Sequence, residues 1–135
     1  MKTLSVRQPW VHLICSGLKD VENRSRRTKY QGKILIHSPA KFDDRGMEDC
    51  FNCKQIRAIV DYFERTHDKF WDGEDYKLST IIGSVEIIDC INNSESIWAE
   101  PGQWHWLLKN PVLFDKPILN VKGMLGLWNY EEIKT

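Results

Sequence analysis

The chain opens with alternating apolar and polar side chains, which predict a short strand over residues 3–7. Pro9 stands where a helix can begin, because its missing N–H is harmless in a first turn. Apolar positions then recur at helical spacing from Trp10 to Leu18, and Gly17 is predicted to stop this helix. Residues 20–25 are predicted to be extended, and a second strand is predicted over residues 33–38.

Later segments change between the two periodicities. Residues 44–67 carry apolar side chains mainly at i, i+3 and i+4, which predicts one or two amphipathic helices, and a polar loop follows over residues 68–77. Residues 79–91 predict a long central strand with a bulge or bend at Gly83, and residues 103–114 another strand interrupted at Pro111. A short final strand is predicted within residues 116–128. These elements favour an α+β fold with flanking helices around a small curled β-barrel, rather than a doubly wound parallel sheet.

Length and composition narrow the class of protein. A chain of 135 residues fits one domain, and its longest apolar runs are far below the roughly 20 residues of a membrane helix, so no membrane partner is expected. The first ten residues lack the apolar core of a signal peptide, which favours a cytoplasmic location. Four cysteines are then expected to be reduced, and Cys50-Phe-Asn-Cys53 lacks the second ligand pair of a zinc site. Neither a metal nor a cofactor is predicted.

Charge is unevenly distributed along a chain whose formal net charge is +0. Residues 7–41 hold eight Lys or Arg and two acidic residues, whereas residues 42–76 hold five Lys or Arg and ten acidic residues. The first segment therefore carries +6 and the second −5. Cations interleaved with Gln8, Trp10, Tyr30 and His37 are typical of a surface that contacts phosphate and stacks bases.

Nine residues are the candidate nucleic-acid contacts. They are Gln8, Lys19, Glu22, Arg24, Arg26, Arg27, Lys29, Tyr30 and His37. Lys19 lies just after the predicted helix end and can turn toward the same cleft as Glu22 and Arg24, where two cations and one carboxylate can hold a phosphate. Alternative roles stay open: a surface ion pair for this trio, a solvated face for the basic run 26–29, and a structural histidine at position 37.

Three segments together resemble the ASCH domain family of the PUA-like superfamily. They are Ser-Val-Arg-Gln-Pro-Trp at residues 5–10, Gly-Leu-Lys-Asp-Val-Glu-Asn-Arg-Ser at 17–25, and Gly-Lys-Ile-Leu-Ile-His at 32–37. The segments Gly-Ser-Val-Glu-Ile-Ile-Asp-Cys at 83–90 and Gly-Met-Leu-Gly-Leu-Trp at 123–128 are similar to the family's central strand and closing end. The resemblance covers nearly the whole chain as one domain of residues 1–135, and the acidic helical stretch at about 43–77 is an insert relative to a compact ASCH domain.

The resemblance implies a PUA-like β-barrel whose cleft binds RNA or single-stranded nucleic acid. Some relatives are described as a ribonuclease or as an amidohydrolase of N4-acetylcytidine, so a hydrolase that uses the same cleft is the alternative. In that alternative Lys19 and Glu22 are the catalytic candidates, with Ser25 or Thr28 as nucleophile. A third hypothesis is a protein-interaction adaptor that binds a protein partner through the acidic insert, where Phe63, Phe70 and Trp71 supply aromatic surface.

Overall fold

The computed structural model describes residues 1–41, 43, 45, 47–67 and 78–131. The strands in this part of the chain are β1 (Lys2–Ser5), β2 (Val21–Arg24), β3 (Gly32–Ser38), β4 (Thr80–Ile91), β5 (Trp104–Ile118) and β6 (Leu127–Asn129). The helices are α1 (Trp10–Cys15), α2 (Met47–Cys50) and α3 (Cys53–Thr66). The strands form one curled sheet in the order β2-β5-β4-β3-β1-β6, with β1 and β3 parallel. The predicted α+β architecture is confirmed.

Helix α1 turns the chain back toward the sheet. Gly17 adopts a φ of +88°, and the backbone N–H of Lys19 donates to the carbonyl of Leu13 at 2.9 Å. This left-handed turn is favourable for glycine, which has no side chain to clash. The predicted helix stop at Gly17 is confirmed, and the Lys19 side chain enters the interior instead of solvent.

Strands β4 and β5 form a long antiparallel pair with several bulges. The predicted bulge at Gly83 is confirmed, since the register with β5 shifts between Ile81 and Gly83. A Cβ at Gly83 would lie 2.1 Å from the carbonyl oxygen of Val112, so no larger residue fits without a shift of the backbone. The predicted interruption at Pro111 is wrong. Strand β5 continues through Pro111 because a second register shift leaves that residue outside the ladder, where a missing N–H costs little.

Helices α2 and α3 confirm the predicted amphipathic helices. Asn52 caps α3: its side chain accepts from the Gln55 backbone N–H, and the Gln55 side chain accepts from the Asn52 backbone N–H. Ile59 is buried on the inner face of α3, and Phe51 packs edge-on against Trp10 at 4.6 Å and Trp98 at 6.2 Å. These contacts fix the helical segment beside α1. The predicted loop at 68–77, with Phe70 and Trp71, lies outside the described residues.

No helix of the described segments is both long and apolar enough to cross a membrane.

The end of the chain completes the sheet, because β6 pairs antiparallel with β1 and brings Trp128 opposite Thr3. Residues 127–129 therefore form one edge of the same sheet and are not a separate tail.

Candidate functional site

A cleft of about 540 Å³ opens beside β2, between the start of α1 and the loop of residues 92–103. We call it the first cleft. Lys19, Glu22 and Arg24 all line it, together with Arg7, Trp10 and Trp98. Side chains on a strand alternate between faces, so Glu22 and Arg24 share one face of β2. The turn after Gly17 adds Lys19 to that face.

Glu22 joins the two cations of the first cleft. Its carboxylate accepts from Lys19 Nζ at 3.4 Å through Oε1, and from Arg24 Nε at 3.0 Å through Oε2. Arg24 also donates through an Nη atom to the Ser5 backbone carbonyl at 3.1 Å, which fixes the guanidinium against β1. Glu22 and Lys19 are 6% and 4% exposed, so the pair that they form is buried and is not the surface ion pair of the alternative interpretation, whereas Arg24 is partly exposed.

Lys19 is an unusual lysine because it is 4% exposed. Burial lowers the pKa of its ammonium from the ordinary 10.5, and the attraction of Glu22 opposes this change. Its Nζ also donates to the Val21 carbonyl and lies 5.6 Å from the centre of the Trp10 ring. A lowered pKa makes it easier for the ammonium to lose its proton, and the free amine can then accept a proton from a substrate or from water.

The loop of residues 92–103 forms the opposite wall and is tied to β2 and α3. Asn23 donates to the Trp98 carbonyl at 2.8 Å and accepts from the Glu100 backbone N–H at 2.9 Å. Gln55 of α3 donates to the Ile97 carbonyl at 2.8 Å. The wall is thus held by hydrogen bonds from two elements. Through it, α3 contributes to the shape of the first cleft.

The remaining sequence candidates occupy other places. Gln8 is 2% exposed, does not line the first cleft, and accepts from the His12 backbone N–H within α1 at 3.2 Å. Arg26 and Lys29 are exposed in the loop between β2 and β3, outside the first cleft. Arg27 lies over the Trp104 ring at 5.4 Å. Tyr30 is half-buried against the core and donates to the Lys33 carbonyl at 3.0 Å.

His37 is 0% exposed and belongs to an internal hydrogen-bond network. Its Nε2 donates to the Val121 carbonyl at 2.7 Å, so Nδ1 accepts the Ser5 hydroxyl proton at 2.9 Å. The Trp128 indole N–H donates to the same Ser5 oxygen at 3.1 Å. This network joins β1, β3 and β6. A nucleic acid cannot touch His37 unless the loop above it moves, and the structure supports the structural role.

Sequence reasoning missed part of the site. Ser5, Asn23, Arg45, Gln55, Glu100 and Gln103 also line the first cleft. Residues 100 and 103 come from a loop without a motif, and only the fold brings them near Lys19. Among the hydrolase candidates, Ser25 lines the cleft, whereas the Thr28 hydroxyl accepts from the Tyr30 backbone N–H at 3.1 Å and does not line it.

The cysteines are four free thiols. Burial raises the pKa of Cys15 to about 12, so this thiol stays protonated. Cys50 is half-buried and Cys53 exposed, and no group of three or more potential metal ligands occurs among the described residues.

The sequence comparisons decide the family. The ASCH domain model matches residues 4–117. The chain belongs to the ASCH domain family. Activating signal cointegrator 1 of Homo sapiens is 29% identical over 92 residues, and its Mus musculus counterpart 27% over 92 residues. Each match covers 68% of this chain and only 15% of the relative. The curled sheet with its helices is the PUA-like arrangement expected for this family, for which an RNA-related function is suggested.

Proposed function

We propose that the first cleft binds single-stranded RNA, or one nucleotide within it. The observation that carries this proposal is the convergence of Arg7 and Arg24 in one cleft beside the buried Lys19–Glu22 pair. Guanidinium groups bind phosphate oxygens through paired hydrogen bonds, and an orienting carboxylate holds Arg24 ready for this contact. The Trp10 ring in the same wall offers an apolar face to a base.

The test is fluorescence anisotropy with a labelled single-stranded RNA pool at several salt concentrations. Arg7→Ala and Arg24→Ala are expected to weaken binding, and each lost phosphate contact should reduce the slope of log K against log salt by about 0.7. Arg57→Ala is the matched control, because Arg57 is exposed on α3 away from the first cleft. Unchanged affinity in folded Arg7 and Arg24 variants would refute the proposal.

A specific observation favours a second candidate, amide hydrolysis on a modified nucleoside such as N4-acetylcytidine. It is the burial of Lys19 in the wall of the cleft, which lowers the pKa of that amine, the direction that a general base requires. Water would attack the acetyl carbon while Lys19 Nζ accepts its proton, and the proton would pass to N4 as the C–N bond breaks. The products are cytidine and acetate.

Two variants separate hydrolysis from binding. Lys19→Arg keeps a cation but cannot act as a base at neutral pH, whereas Lys19→Met removes both properties. If both variants abolish acetate release while the Lys19→Arg variant still binds RNA, the cleft is catalytic. If the unmodified protein releases no acetate from N4-acetylcytidine, this candidate is refuted and the binding proposal is unaffected.

A further inference from the structure

A second cleft of about 700 Å³ adjoins the first. We call it the second cleft. Ser5, Arg7 and Arg24 line both clefts and form the wall between them. The opposite side consists of the loop that follows β5, including Val121 and Leu125. The two hollows are therefore neighbours along one surface.

The charges of the second cleft suit an anion better than those of the first. Arg7, Arg24 and Lys122 line it, and its described lining residues include no carboxylate. In the first cleft, by contrast, Glu22 and Glu100 oppose the cations. Arg24 is paired with Glu22 of the first cleft, whereas Arg7 and Lys122 face no carboxylate among the described lining residues. These cations attract a phosphodiester, whose charge is retained at any physiological pH.

Apolar side chains complete the second cleft. Val121 is buried in its wall, while Met124 and Leu125 at the rim are 63% and 98% exposed. Single exposed apolar residues are ordinary on protein surfaces, but here two consecutive ones border a cationic hollow. Such side chains lose unfavourable contact with water if the flat face of a nucleobase covers them.

The shared wall connects the two features. Arg24 is held in place by Glu22 and by the Ser5 carbonyl, and exposed Arg7 stands beside it in both clefts. A strand that places one nucleotide in the first cleft and crosses this wall must carry its next phosphodiester past both guanidinium groups. The following base then enters the second cleft.

We propose that the second cleft binds the adjacent nucleotide of the same single strand, with the connecting phosphodiester on Arg7 and Arg24 and the base against Met124 and Leu125. The inference rests on the proposed function, because it requires a nucleotide in the first cleft. It identifies the ligand class as at least a dinucleotide and makes the loop of residues 120–126 a binding element.

The test is isothermal titration with the four nucleoside 5′-monophosphates and the matching 5′-phosphorylated homodinucleotides. The readout is the ratio of dinucleotide to mononucleotide affinity. We expect this ratio to be at least about ten in the unmodified protein. In the Met124→Ser/Leu125→Ser double variant the ratio should fall about fivefold, because about 40 Å² of apolar surface is then no longer covered by the base. Val60→Ser, on the exposed face of α3, is the matched control and should keep the ratio.

Each outcome has a distinct meaning. A ratio near one in the unmodified protein, or a double variant with an unchanged ratio, overturns the second cleft as a nucleotide site. If Arg24→Ala still weakens mononucleotide binding in that case, the proposed function of the first cleft survives. If neither ligand binds the unmodified protein at millimolar concentration, the proposed function fails and this inference fails with it.

Discussion

Removing the charge of Glu22 tests whether this carboxylate stabilises the buried Lys19 in the first cleft. The Glu22→Gln change preserves the side-chain volume but takes away the only carboxylate that hydrogen-bonds Lys19 among the described residues. Arg24 is half-exposed and can be solvated, whereas Lys19 is 4% exposed and cannot. The variant therefore leaves a buried ammonium without its counter-charge, or forces Lys19 to release its proton.

The release of that proton limits the destabilisation. Each pH unit between 7 and the ordinary lysine pKa of 10.5 corresponds to about 1.4 kcal/mol, so holding Lys19 neutral at pH 7 costs at most about 5 kcal/mol. Part of this cost is already present in the unmodified protein, in which burial lowers the Lys19 pKa. We therefore expect Glu22→Gln to lower the free energy of unfolding by about 2–4 kcal/mol at pH 7.

The pH dependence identifies Lys19 as the cause. A folded-state pKa below the unfolded value means that the unfolded chain binds more protons, so stability rises with pH toward 10.5. Glu22→Gln lowers the folded-state pKa further, and its deficit relative to the unmodified protein should shrink between pH 7 and 10.

Urea denaturation at several pH values measures this deficit. Adding Lys19→Met to Glu22→Gln should recover at least half of the lost stability, since no buried ammonium remains. Glu95→Gln, at an exposed position, is the control and should change stability by less than about 0.5 kcal/mol. A deficit that is constant with pH, or that Lys19→Met does not relieve, would refute the role assigned to Lys19.

Two further predictions concern the network around His37. Burial lowers the pKa of this histidine below 6.5, so the unfolded chain binds more protons at acidic pH, and stability should rise with pH up to about 6.5. Thermal melts from pH 5 to 7 measure this rise. The His37→Gln change should flatten it, whereas the control change His67→Asn, at an exposed position, should not. An equal slope in His37→Gln would contradict the assignment. A Cβ at Gly123 would lie 2.6 Å from both His37 Cε1 and Ser5 Oγ, so Gly123→Ala should cost about 1–3 kcal/mol in urea denaturation. A cost below about 0.5 kcal/mol would argue against this contact.

Local rules were sufficient for the centre of the first cleft. The period of two along a strand placed Glu22 and Arg24 on one face, and the glycine after α1 predicted that Lys19 turns back toward them. All three side chains lie within one charge cluster in the structure. Because these rules act over a few residues, they needed no knowledge of the rest of the fold.

Burial and long-range contacts were beyond those rules. His37 and Gln8 have side chains that could contact a nucleic acid, but their sequence neighbours do not reveal that both are buried in the fold. Glu100 reaches the cleft only because Asn23 fixes the backbone of a loop that lies 77 residues later in the chain. The predicted interruption at Pro111 failed for a related reason, since β5 accommodates a proline there only because of a bulge that is defined by pairing with β4.

The choice of lysine at position 19 bears on whether the first cleft only binds or also catalyses. Arg24 and Arg7 suffice to hold a phosphate, and an arginine keeps its charge in any environment. A buried lysine adds little phosphate affinity, because its ammonium is 4% exposed and already donates to Glu22 and to the Val21 carbonyl. Its enclosure instead lowers the pKa of the amine, a change that is costly for stability but useful for proton transfer. The enclosure of Lys19 is therefore the feature of the first cleft that the proposed binding of phosphate does not use, and the Lys19→Arg and Lys19→Met variants test whether proton transfer uses it.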